Sequence, residues 1–316
     1  MQQAKLAAAV DSGGFLISTT HSSVLDGKLG AYASLARMDR PVGTLLLLWP
    51  TLGALWAASS AIPDTMLIVV FTLGTFLMRS AGCVANDMAD RNLDGQVART
   101  KDRPLATGAL TVREATIALA VLLLLSAATL LFLNHFTKLL ALVGLLIAMT
   151  YPFFKRFTYL PQVPLGAAFS WGIVMAFAAV QQTIPTSAWL LFIGSVLWIV
   201  AYDTLYAMVD REDDLKAGIR STAILFGNGD RLAVLALQAA ALWVFVLFGQ
   251  RSNYQLFYYL GLAAMGLLFL YQQHLIRKRD PAACFSAFKN NVWAGFALFL
   301  GIAFEVQFAP LMNLPD

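Results

Sequence analysis

Residues 82–108 read GCVANDMADRNLDGQVARTKDRPLATG, and an apolar run ends inside them. Asn86, Asp87, Asp90 and Asp94 follow, then Arg99, Lys101 and Arg103. Such a gathering of charge stands out in a chain of 316 residues that is 59% hydrophobic and 13% charged. A soluble domain carries about 25% charged residues. Apolar segments near 20 residues recur along the chain, each long enough to cross a hydrocarbon core about 30 Å thick at 1.5 Å of helix rise per residue. They fall at roughly 42–62, 66–85, 114–133, 138–154, 163–182, 187–208, 232–249, 254–275 and 290–309. The expected fold is all-α, an integral membrane bundle of about nine transmembrane helices.

With the amino terminus on the inner side, all but two of the 22 basic residues fall on that side, Lys138 and Arg251 being the exceptions. That bias predicts a cytoplasmic amino terminus, and it explains the net charge of +4 without a nucleic-acid partner. The outer connections are short, whereas two inner loops, about 86–113 and 209–231, are long and polar, so the functional side is the inner one. Residues 1–27 are expected to form a mobile tail and residues 28–316 the membrane domain. The tail's KLAAAV and GFLIS are interrupted by Asp11 and a Gly pair, so no continuous signal-peptide core forms. The stretch LDGKLGAYASLARMDRP (25–41) is expected to be an interfacial helix ended by Pro41.

A step of four residues turns a helix by about 400°, so Asn86, Asp90 and Asp94 share a face with a drift of roughly 40° per step. Asp87 points partly away and is read as a brace. A second cluster, YDTLYAMVDREDDLKAGIRSTAILFG (202–227), repeats the arrangement with Asp203, Asp210 and Asp214, and Asp213 beside them. The bland reading is solvated charge at helix ends. The helical spacing, its recurrence and the nearby basic residues favour a site. Facing carboxylates repel one another unless a cation lies between them. Mg2+ suits this role, since it takes a few carboxylates and completes its octahedron with water and phosphate oxygens. Arg79, Lys101, Arg103, Lys155 and Arg156 fall on the same side and suit a diphosphate. A nucleotide is disfavoured, because neither a GxxxxGK[ST] loop nor a GxGxxG after a strand occurs.

NDMADRNLD resembles the NDxxDxxxD motif of the UbiA-type membrane prenyltransferases, and DREDD supplies that family's second motif, DxxxD, through Asp210 and Asp214. The surrounding RMDRPVGTLLLLWPT, TKDRPLATG and YPFFKR narrow the resemblance to members that prenylate 4-hydroxybenzoate in the ubiquinone pathway. The resemblance implies a nine-helix bundle whose central cavity is capped by the inner loops. It implies Asn86, Asp90, Asp94, Asp210 and Asp214 as the residues that hold Mg2+ and diphosphate. It also implies a polyprenyl diphosphate and 4-hydroxybenzoate as substrates, and a bacterial inner membrane as the location.

A lipid diphosphate, apolar at one end and anionic at the other, belongs at such a boundary. Loss of diphosphate leaves an allylic cation, which aromatic faces stabilise. Tyr151, Tyr202, Tyr206, Phe169 and Trp171 are candidates, against the ordinary alternative of core packing. Asp210 is expected to be the base toward the acceptor's phenol. Arg156 is placed with it in catalysis, Asp87, Asp203 and Asp213 in support, and Arg40 at the acceptor's carboxylate. His21, His135 and His274 are scattered and read as structural or exposed. Cys83 and Cys284 lack disulfide or metal spacing. GAAFSWGIVMAFAA reads as close helix packing. The competing class is a divalent-cation transporter, since intramembrane acids mark ion paths. Transporter sites, however, lie near the bilayer midplane, whereas these acids lie at the inner helix ends. A nearer alternative is a related prenyltransferase with another aromatic acceptor.

Overall fold

A computed structural model describes residues 27–91, 95 and 100–312. All nine apolar segments form helices long and apolar enough to cross a membrane. They are α2 (Val42–Ser59), α3 (Thr65–Asp90), α4 (Val112–Thr129), α5 (His135–Thr150), α6 (Gln162–Gln181), α7 (Thr186–Ala217), α9 (Asp230–Arg251), α10 (Leu256–Leu275) and α11 (Pro281–Met312). A short α1, Lys28–Leu35, precedes them, and a five-residue α8, Thr222–Phe226, follows α7. The protein is a multi-pass integral membrane protein.

Helix starts are set by side chains that satisfy the unpaired N–H groups of the first turn. Asp64 accepts from Met66 N at 2.7 Å to begin α3. Thr111 and Glu114 form a capping box at α4. Asn134 caps α5 and also donates to Ala178 O and Ala179 O, which ties the start of α5 to the end of α6.

Four helices, α2, α6, α7 and α11, pack as a closed inner ring. Around it α3 leans on α2 and carries α4, α5 leans on α6, and α9 and α10 close over α7 and α11. In lipid the apolar surface of a helix gains little by meeting another helix, so close packing through small residues does the joining. Between α10 and α11 the backbones touch: a β-carbon on Gly261 would lie 2.6 Å from Ala297 O, and one on Gly301 would lie 3.1 Å from Tyr258 O.

Several ends differ from the sequence expectation. The inner loops are shorter, because α3 stays helical through Asp90 and α7 through Ala217. Hydropathy marks where lipid stops, while the helix's internal hydrogen bonds continue into the polar region. The last helix begins at Pro281 rather than near 290, so Lys289, counted with the inner loops, is on α11 with its ammonium 5.1 Å from the Phe285 ring centre. The interfacial helix is also shorter than expected. It is α1 alone, closed by Arg37 in the left-handed region (φ 54°) before Pro41 is reached. It is docked rather than free, with Leu35 buried against Leu77, Ala81 and Val84.

Candidate active site

The first acidic motif is the last turn of α3, with Asn86 and Asp90 one turn apart. Asp87 is 1% exposed. It takes two bonds from Arg37 Nη2, at 3.0 and 2.9 Å, and pairs with Arg103 Nη1 at 3.0 Å. It therefore joins α3 to the chain before α2 and to the loop after α3. Asp90 is 4% exposed and ion-paired with Lys155. Among the described residues its Oδ1 is buried without a hydrogen-bond partner. A carboxylate here meets the negative end of the helix dipole. Lys155 offsets that, as does Arg156, whose Nη2 donates to Ala89 O at 3.0 Å. A buried, unsatisfied carboxylate oxygen at a helix carboxyl end is a place that attracts a cation.

The second motif lies on α7. Because that helix is continuous through Ala217, Asp203, Asp210 and Asp214 fall along one side of it. Beyond Asp214 the helix closes at Gly218 (φ 69°), and Ile219 N bonds back to Asp214 O at 2.9 Å. Asp213 pairs loosely with Lys216 at 3.8 Å.

Arg79 lies two helical turns before Asn86 on α3. Its guanidinium donates to Cys83 Sγ and lies 5.9 Å from the Phe169 ring centre, and the Tyr151 ring meets Phe169 edge-on at 6.3 Å. Tyr202 packs against Trp198 and Phe288, and Tyr206 against Phe285 and Phe288. Tyr151 opens the 3-10 turn Tyr151–Arg156 that also carries Lys155, so the cation paired with Asp90 and the ring that meets Phe169 belong to one turn. Gly43 of α2 passes directly beneath the guanidinium, leaving no space for a side chain.

Not every expected residue comes to this point. Arg40 is exposed and pairs with Asp39 at 3.4 Å. The preceding segment instead sends in Arg37, which the sequence reading passed over and whose only signal was a second basic residue at the end of α1. Lys101 is exposed on the turn that leads to Arg103. Trp171 belongs to helix packing, for its Nε1 donates to Leu140 O at 2.8 Å and its ring fills the space over Gly144. Gly166 and Gly172 likewise abut Val196 and Thr51. His135 starts α5 and His274 is in the last turn of α10. Cys83 and Cys284 are free thiols. Asp94, Arg99 and residues 1–26 lie outside the described residues. Among the described residues, no three His, Cys, Asp or Glu side chains stand close enough to hold a metal ion by themselves.

One cluster escaped sequence reading entirely. Asp230, fully buried at the start of α9, takes an ion pair from Arg211 and another from Arg279 Nε at 2.8 Å. Arg211 sits between Asp210 and Asp214, so this cluster pins the polar end of α7 to the base of α9 and to the turn before α11.

Residues 47–300 match the sequence model of the UbiA prenyltransferase family. The 4-hydroxybenzoate octaprenyltransferase of Pseudomonas aeruginosa (strain UCBPP-PA14) is 55% identical over 270 residues, which cover 85% of this chain and 91% of that one. The chain belongs to the UbiA prenyltransferase family. Solved UbiA structures share its fold. The apo structure of a UbiA homologue from Aeropyrum pernix K1 superimposes with a TM-score of 0.73 at 25% identity, covering 82% of this chain and 96% of that one. A UbiA homologue from Archaeoglobus fulgidus bound to GPP and Mg2+ does so with a TM-score of 0.66 at 21% identity, covering 87% and 99%.

Proposed function

We propose that this UbiA chain transfers a polyprenyl group from a polyprenyl diphosphate to carbon 3 of 4-hydroxybenzoate, releasing diphosphate, at the cytoplasmic face of a bacterial inner membrane. The observation that carries the reading is that Asp90 pairs with Lys155 on the turn whose Tyr151 ring meets Phe169, the ring beside the Arg79 guanidinium, at one end of an apolar bundle. A charged head and a lipid tail are both provided for. Family membership and the 55% identity to a 4-hydroxybenzoate octaprenyltransferase support the choice of acceptor.

Asn86, Asp90, Asp210 and Asp214, with Asp94, would hold Mg2+. The unsatisfied Asp90 Oδ1 fits that role, and the small number of protein ligands fits an ion that takes its remaining ligands from water and phosphate oxygens. Once bound, Mg2+ supplies charge neutralisation for the departing diphosphate. Arg79, Lys155 and Arg156 add charge-assisted hydrogen bonds to the same oxygens, while Arg103 is engaged with Asp87 and Lys101, exposed on the turn before it, is the outermost candidate. The prenyl C1–O bond breaks, and Tyr151, Tyr202 and Phe169 keep water from the allylic cation and face it with their rings. Asp210 accepts the phenol proton as charge builds on the acceptor ring. The new carbon–carbon bond then forms ortho to the hydroxyl, because the para carbon already bears the carboxylate. Loss of the ring proton and return of the phenol leave one proton released per turnover. Arg40 remains the candidate for the acceptor's carboxylate.

The test supplies membranes holding this chain with radiolabelled 4-hydroxybenzoate and polyprenyl diphosphates of several lengths. The expected product has the mass of a 3-polyprenyl-4-hydroxybenzoate. Absence of labelled lipid with every donor, from membranes in which the chain is folded, would sink the proposal.

A further inference from the structure

The carboxyl ends of α3 and α7 carry the two acidic motifs, and one short segment stands between them. It is the 3-10 turn Tyr151–Arg156 with its continuation to Tyr159. Toward α3 it offers side chains: Lys155 pairs with Asp90, and Arg156 bonds Ala89 O at 3.0 Å. Toward α7 it offers backbone. Arg220 N donates to Lys155 O at 3.2 Å, Arg220 Nη1 donates to Phe157 O at 2.6 Å, and the guanidinium lies 5.2 Å from the Tyr159 ring centre.

Arg220 is itself held on both sides. Upstream, the bond from Ile219 N to Asp214 O and the left-handed Gly218 form a tight helix end with little slack. Downstream, Thr222 N donates to Gln162 Oε1 at 3.3 Å, and the buried hydroxyls of Thr222 and Thr204 meet at 2.8 Å. The residue thus grips the backbone that carries Lys155 from a fixed point on the second motif.

We infer that Arg220 is a positioning residue: beside the main-chain bond from its N–H to the Lys155 carbonyl, its side chain grips the Phe157 carbonyl and the Tyr159 ring and so holds the Lys155 ammonium against Asp90, and the end of α7 sets the geometry of the cation site at the end of α3. Arg220 touches no substrate atom in this role. Its planar fork can bond a carbonyl and stack on Tyr159 together, which a lysine cannot do. The inference rests on the proposed diphosphate site, but its geometric core, the placement of Lys155, can be read without ligand.

Two measurements on the full chain in detergent test it. In the first, Asp90→Cys/Lys155→Cys is oxidised without ligand, and disulfide formation is followed with Arg220 intact and with Arg220→Ala. Cross-linking at least about threefold slower in the Arg220→Ala background is expected, because sub-ångström placement governs such encounters. In the second, thermal melting is titrated with magnesium plus inorganic diphosphate. The midpoint of stabilisation should rise about tenfold in Arg220→Ala, the scale of one charge-assisted hydrogen bond, and by an intermediate amount in Arg220→Lys. The ligand-free melting temperature should hold, since the Phe157 carbonyl is exposed to water. Lys155→Ala/Arg220→Ala should be no weaker than Lys155→Ala alone, because residues acting in one chain of contacts do not add. Unchanged cross-linking, an unchanged midpoint, or additivity in the double variant would overturn the inference. Wild-type protein that magnesium and diphosphate do not stabilise would overturn the site reading instead, and the cross-linking rate would still decide the role of Arg220.

Discussion

Gly43→Ala is the smallest change that should test the placement of Arg79. A β-carbon at Gly43 would lie 2.5 Å from Arg79 Nη2 and 2.6 Å from Nε, where ordinary contact begins at 3.4 Å. The guanidinium must therefore retreat by about 1 Å. It is the far end of a flexible side chain, so the fold should accommodate this. Alanine is also the better helix former, by up to about 1 kcal/mol over glycine, and Gly43 is the second residue of α2. Stability should hold or rise slightly. Function should not, since a misplacement of about 1 Å can cost about 100-fold in rate. Because Arg79 is placed on the leaving group rather than on the reacting carbon, a fall in kcat/KM for the polyprenyl diphosphate of roughly 10- to 100-fold is expected. Initial rates over a range of donor concentrations, beside a melting curve for each variant, give both readouts. Gly172→Ala serves as the contrast, for its methyl would meet Thr51 Oγ1 at 2.5 Å, in helix packing rather than at Arg79. It should alter the melting temperature without selectively raising the KM for the donor. A Gly43→Ala enzyme with wild-type kcat/KM would refute the reasoning, and so would one whose loss tracks a fall in melting temperature.

Asp90→Asn and Asp214→Asn should each abolish turnover or demand far more Mg2+, checked by rates across a Mg2+ titration; unchanged dependence in both would return the motifs to solvated helix caps. Asp230→Asn leaves Arg211 and Arg279 without their shared acid. Breaking such a buried pair costs about 3–5 kcal/mol, to be discounted toward about 2–4 kcal/mol because both arginines are partly exposed. The melting temperature should fall by roughly 5–10 °C, and a fall under a degree would show the cluster to be dispensable. Reporter fusions after Asn134, Ser187 and Ser252 should read as outside the cell and those after Gly108, Asn228 and Asp280 as inside; Gly108 reading outside would remove the site from the cytoplasmic face. If Asp210 is the base, Asp210→Asn should cut ring attack more than ionisation and release prenyl alcohol, detected by chromatography, whereas equal loss of diphosphate release would make Asp210 a metal ligand only.

The all-helical membrane fold was legible in the sequence because the bilayer imposes its thickness on the chain. Each crossing needs about 20 apolar residues, and every backbone group within it must be bonded internally. The helical phase of Asn86 with Asp90, and of Asp203 with Asp210 and Asp214, was legible for a similar local reason. Side chains four or seven apart share a helix face wherever the helix runs, and α3 and α7 do run through them.

What was hidden is the choice of partner. Charged residues in a polar loop look alike in sequence whether water or a buried carboxylate receives them. Arg37 and Arg40 flank the same turn, yet one left-handed residue at the end of α1 sends Arg37 to Asp87, 50 positions away, and leaves Arg40 in solvent. Lys155 finds Asp90 across 65 positions, and Asp230 draws Arg211 and Arg279 to one point from two different elements. The sequence by itself determined the nine membrane-crossing helices among the described residues and the shared face of Asn86 with Asp90 and of Asp203 with Asp210 and Asp214, since those follow from local periodicity and the width of the membrane. Only the tertiary structure decided which cation meets which acid, because a buried ion pair forms where packing brings two charges together out of water, and packing is set by contacts between helices far apart in the chain.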